Sequence, residues 1–69
     1  MRRYLIVIEK TKNNFGAHAP DLPGCVATGK TREETIEAMR GAIEFHIEGL
    51  TLEKLPIPEA QSSAEYVSV

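Results

Sequence analysis

One stretch of this chain constrains its fold more than any other: Thr31-Arg32-Glu33-Glu34, followed by Ile36, Met39, Ile43, Ile47 and Leu50. Thr31 and Glu34 have the spacing of a capping box, in which the threonine hydroxyl accepts from the Glu34 amide and the Glu34 carboxylate reaches back to the Thr31 amide. The apolar spacing then predicts an amphipathic helix from Arg32 to about Leu50, with Gly49 as its C-cap. Such a stripe must be covered, and the rest of a 69-residue chain offers only strands to cover it.

Those strands are readable. Arg3 to Glu9 contains Leu5-Ile6-Val7-Ile8, a β-branched run too short for a buried helix. Tyr4, Ile6 and Ile8 share one face and Leu5 and Val7 the other, so the strand is either central or part of a subunit contact. Lys10 to Asn14 is a polar hairpin connection in which asparagine can take a positive φ. Phe15 to Ala19 forms a second strand, alternating Phe15, Ala17 and Ala19 with Gly16 and His18. Pro20-Asp21-Leu22-Pro23-Gly24 is a rigid loop, because two prolines fix φ and Gly24 is free to adopt a conformation closed to other residues. Cys25 to Lys30 is a third, small-sided strand. After the helix, Leu52 to Ser63 is irregular and tacked to the body by Leu52, Leu55 and Ile57, and Ala64 to Val69 is β-prone enough for a fourth strand. The expected fold is a single α+β domain over residues 1–69, an antiparallel sheet ordered β-β-β-α-β with the helix on one face.

Size and charge narrow the functions. A chain this short removes only about 60% of its unfolded surface from water, so its stability margin is thin and self-association would widen it. A homo-oligomer, dimer or tetramer, is therefore expected. The formal net charge of −2 argues against a dedicated nucleic-acid binder. Between residues 33 and 48 there are five Glu against one Arg, so the solvent face of the helix is acidic and a basic partner suits it better. No apolar stretch approaches the roughly 18 residues of a membrane span. The Arg2-Arg3 start resembles a signal peptide only superficially, since its apolar run ends after five residues at Glu9 and Lys10. A cytoplasmic location is expected.

Few residues suggest chemistry. Asp21 is the sole aspartate, whereas a two-metal site needs carboxylates converging on ions about 4 Å apart. The two histidines, His18 and His46, and the one cysteine, Cys25, have no metal-ligand spacing. His18, Asp21 and Cys25 around the proline loop could in principle serve a small hydrolase with a thiolate nucleophile. The plainer reading is a buried small Cys25 and a surface His18, with no catalytic, cofactor or metal site. Phe45 stands out more. It projects away from the core stripe beside Ala38, Gly41, Ala42 and Gly49, an aromatic among small residues that let a partner approach. With Glu37, Glu44 and Glu48 it makes the candidate partner-binding surface, for another protein or for self-association.

The ordered combination Phe15-Gly16-Ala17-His18-Ala19-Pro20-Asp21-Leu22-Pro23-Gly24-Cys25, then Gly29-Lys30-Thr31-Arg32-Glu33-Glu34 and Ala42-Ile43 in the helix, resembles the HicB family of antitoxins over about residues 3–50. The resemblance implies a partial ribonuclease-H-like fold lacking the catalytic carboxylates of true ribonucleases H. It also implies a non-catalytic function within a toxin-antitoxin system: occluding a small, basic, mRNA-cleaving toxin of the HicA type. Many members of that family carry a further C-terminal DNA-binding domain. This chain stops at Val69, so direct DNA binding is not expected of it. An orphan interaction module of the same fold, with no toxin, is the alternative.

Overall fold

The computed structural model describes residues 2–69. Strands β1 (Val7–Lys10), β2 (Phe15–His18) and β3 (Val26–Gly29) form one antiparallel sheet in that order, followed by a single helix α1 (Arg32–Leu52). The register pairs Val7 with His18 and Lys10 with Phe15 across β1 and β2, and Phe15 with Gly29 and His18 with Val26 across β2 and β3. The architecture is thus α+β with three strands. The first strand is shorter than its apolar run, because residues 3–6 lie outside the ladder. It is also an edge strand and not a central one. The hairpin needs no asparagine at positive φ: the Thr11 amide donates to the Asn14 carbonyl at 2.8 Å, and the Asn14 amide donates to the Thr11 hydroxyl at 3.1 Å.

The core is small and lies off-centre. Ala17, Ala19, Leu22, Cys25 and Met39 are its buried apolar members, and Leu22 and Met39 are fully buried. Leu22 comes from the proline loop, which closes on itself: the Leu22 amide donates to the Ala19 carbonyl at 3.0 Å and the Cys25 amide to the Leu22 carbonyl at 3.1 Å. Gly24, at φ 81°, sits where an L side chain would be strained. Ile8, Ala17 and Ala27 align across the three strands, and their small centre lets the helix come close. Contact is tightest at Gly29, where an added Cβ would stand 2.7 Å from the Thr35 hydroxyl and 2.8 Å from its amide. The helix therefore lies over β3 and, less extensively, β2, leaving β1 largely uncovered.

The helix begins where its capping box places it. The Glu34 amide donates to the Thr31 hydroxyl at 3.0 Å, but the Glu34 carboxylate accepts from the amide of Lys30, at 3.1 Å, and not from that of Thr31. Gly49 does not end it. The helix runs on to a C-cap at Glu53, with Lys54 at φ 56°, and the amides of Lys54 and Leu55 donate to the carbonyls of Thr51 at 3.1 Å and Leu50 at 2.9 Å. This is a Schellman closure with lysine in the left-handed position that glycine usually holds. One interior glycine costs only about 1 kcal/mol, which a well-closed helix tolerates.

The connection after the helix is held differently from expectation. Leu52 and Leu55 are exposed, and only Ile57 and Pro58 are half-buried. Its attachments are polar: the Tyr4 hydroxyl donates to the Pro58 carbonyl, and Asp21 accepts from Gln61 and Ser62. Residues 64–69 form no strand, contrary to the β-rich composition of that segment, and are exposed throughout. A strand exists only where a ladder partner accepts and donates its hydrogen bonds. These residues pair with none within the one chain.

Candidate partner-binding surface

The outward face of α1 is built by its periodicity. At about 100° per residue, Glu37, Glu44 and Glu48 fall within a strip about 40° wide, and Phe45 lies roughly a quarter-turn to one side. All four are exposed, Phe45 to 79%. Phe45 is flanked by the exposed Ala38, Gly41 and Gly49, and no atom outside the local chain lies within 4 Å of a Cβ added at either glycine. Ala42 does not belong to this patch. It is half-buried and packs against the core, because its position on the helix is turned toward Met39's side. Arg40 pairs with Glu37 at 3.4 Å with both side chains mostly exposed, a contact of little energetic weight that leaves the ridge acidic.

The opposite flank of the helix forms a distinct surface that the apolar periodicity does not announce. The stripe expected to be core divides: Met39 is buried, while Ile36, Ile43, Ile47 and Leu50 are only half-buried. Thr35 takes the inward position instead, fully buried, its hydroxyl donating to the Thr31 carbonyl at 2.8 Å. Its polarity hides it from a hydrophobic-periodicity reading. The half-buried isoleucines face an open groove that Tyr4 and Ile6 line from the other side. The sequence signal for this groove was the two-sided apolarity of the first strand.

The residues around the proline loop are not assembled for catalysis. Cys25 is buried, and that burial pushes its thiol above its ordinary pKa, away from the thiolate a nucleophile requires. His18 is exposed on β2. The Asp21 carboxylate is occupied as a structural acceptor: Ser62 donates through its amide at 2.9 Å and its hydroxyl at 2.8 Å, and Gln61 through its amide at 3.0 Å. The two Ser62 bonds, backbone first, together with the Gln61 amide hold the Asp21 pKa below the usual carboxylate value. Among the described residues no three His, Cys, Asp or Glu side chains gather as a metal site. Among the described residues no helix is long and apolar enough to cross a membrane.

A three-stranded sheet under one acidic-ridged helix defines a small α+β domain whose distinctive features are its surfaces. Residues 4–69 match the family model described as "HicB_like antitoxin of bacterial toxin-antitoxin system", and the chain belongs to that family. Among curated relatives, a UPF0150 protein of Helicobacter pylori is 37% identical over 57 residues, covering 83% of this chain and 79% of the relative. Another UPF0150 protein, from Thermoplasma acidophilum, is 32% identical over 68 residues, covering 97% and 96% of the two chains. An uncharacterised 14.9 kDa protein of Haemophilus phage HP1 is 34% identical over 65 residues, and this chain spans only 49% of its length. Among solved structures, a chain of the HicA3 and HicB3 toxin-antitoxin complex superposes with a TM-score of 0.73 at 33% identity, covering 87% of this chain and 70% of the other.

Proposed function

We propose that this protein is an antitoxin that neutralises a small basic HicA-type ribonuclease by binding it and covering its active surface, without catalysis of its own. The single observation that carries the reading is the likeness, over 87% of the chain, to a chain of a toxin-antitoxin complex. The acidic ridge of Glu37, Glu44 and Glu48 is the surface whose charge suits such a toxin, and Phe45 is its apolar anchor. Opposite charges there would speed encounter, while the aromatic would hold the complex once formed. The proposal assigns the chain a protein partner and not operator DNA, since a formal net charge of −2 gives it little to offer phosphate. It acts in the cytoplasm, where a toxin that cleaves mRNA finds its substrate, and as a homo-oligomer. We read its β-β-β-α order as the first part of a ribonuclease-H-like arrangement retained as a binding scaffold.

Co-expression with a small basic HicA-type toxin, sought first in the reading frame beside this one, tests the reading. Growth should be rescued, and the triple substitution Glu37→Lys, Glu44→Lys, Glu48→Lys should abolish rescue while the helical circular dichroism is unchanged. Toxicity unaffected by the parent protein would overturn the antitoxin reading in favour of an orphan interaction module. Rescue unaffected by the triple substitution would move the contact away from the ridge.

A further inference from the structure

Two apolar features of this molecule have no cover, and they match each other. The first is a groove of about 480 Å³ between residues 2–6 and the flank of α1, floored by Tyr4, Ile6, Ile36, Ile43 and Ile47 and rimmed by Arg2, Arg3, Arg40 and Glu44. Its wall at residues 2–6 leads directly into β1, which has an outer edge. No backbone hydrogen bond among the described residues reaches that edge, so its amides and carbonyls are open to a further strand. The second feature is the segment 64–69, in which Tyr66, Val67 and Val69 are 100%, 80% and 123% exposed. A large aromatic and two β-branched residues outside any helix or strand are strand formers without a sheet.

We propose that residues 64–69 of a second copy of this chain enter the groove and pair with the open edge of β1 as a fourth strand, and that the exchange is reciprocal, giving a two-fold dimer. The placement of Ser62 favours a second copy over the chain's own tail. Asp21 holds Gln61 and Ser62 through three hydrogen bonds, and the chain beyond that anchor is fully exposed and unattached to the groove. Ser62 itself stands beside Arg3, Tyr4 and Ile6, so each tail departs at the place where its partner's tail would arrive. That is the geometry in which an identical element is exchanged and closes a two-fold interface. Charge agrees, since Glu65 would enter a groove whose rim carries three arginines against one glutamate, Glu44. A strand of six residues spans about 20 Å, sufficient to run along the four residues of β1 and on into the groove. The inference names the surface of the homo-oligomer and uses nothing of the toxin reading.

Sedimentation of the full chain at tens of micromolar should give a dimer of twice the 7.6 kDa chain mass. Val67→Pro, which removes an amide donor from a segment carrying no fold contacts, should weaken dimerisation by more than about tenfold and leave the helical circular dichroism unchanged. Phe45→Ala should leave the dimer intact. In a sample mixing isotope-labelled and unlabelled chains, nuclear Overhauser contacts from Tyr66 and Val67 to Ile36 and Ile47 should be intermolecular. A monomeric parent, a Val67→Pro variant as dimeric as the parent, a dimer lost on Phe45→Ala, or purely intramolecular contacts would each overturn the proposal. Growth rescue is read separately, so that loss of the dimer and loss of toxin neutralisation are told apart.

Discussion

The two sides of the sheet carry apolar residues of similar kind and are treated very differently. On the β2 and β3 side, Ala17, Ala19, Leu22, Cys25 and Met39 are buried, and the helix comes so close that only glycine fits at position 29. On the β1 side, Tyr4, Ile6, Ile43 and their neighbours remain half-buried around an open groove. The difference comes from where the helix sits. Small residues at Ala17, Ala27 and Gly29 draw it over β2 and β3, and one helix about 10 Å wide does not cover three strands at once. A small domain can thus complete one core only by leaving apolar surface elsewhere. That surface is where binding energy remains available, so the closed side serves stability and the open side is where we propose assembly.

The largest expected effect tests the closed side. Leu22→Ala removes a fully buried side chain contributed by a loop and should cost about 2–5 kcal/mol in chemical denaturation, a large share of the stability of so small a domain. A loss below about 1 kcal/mol would mean that the loop is not part of the core. A smaller effect tests the helix end where the closed domain gives way to the connection. Lys54→Gly relieves a left-handed lysine at φ 56° and should stabilise the domain by up to about 1 kcal/mol, read as a raised melting temperature. No gain would mean that the Schellman closure is not populated in solution.

The smallest global effect belongs to the tie between the two sides. The folded pKa of Asp21 lies below its ordinary 3.8, so the contact to Gln61 and Ser62 contributes above that value and is lost as the pH falls through the lower, folded one. The amide resonances of Gln61 and Ser62 should titrate with a midpoint below 3.8. Asp21→Asn should abolish that titration and scarcely change the unfolding midpoint, because the carboxylate lies at the surface. A midpoint at or above the ordinary value would show the tie to be absent.

Much of this was legible in the chain itself. Thr31 and Glu34 located the helix start because a cap is a local interaction among neighbours in sequence. The three strands and the proline loop were legible for the same reason, as was the exposed ridge of Glu37, Glu44 and Glu48 with Phe45 beside it. Other features depended on distant partners. Thr35 is inward because Gly29 admits the helix there, which no periodicity of apolar residues reveals. Gly49 failed to stop the helix because Lys54 and Leu55 close it one turn later. The segment 64–69 has the composition of a strand, but a strand also needs an edge to pair with, and within the chain it pairs with none. Asp21 tethers residues 40 and 41 positions away, a contact that spacing alone does not announce.

The sequence by itself determined the local grammar: which segments are extended, where the helix begins, which face of it is charged. Only the tertiary structure decided which apolar residues are spent on the core and which are left over. That choice follows from how closely one helix can lie on small residues of two strands, and it leaves β1 with an open edge and the chain with an uncovered groove.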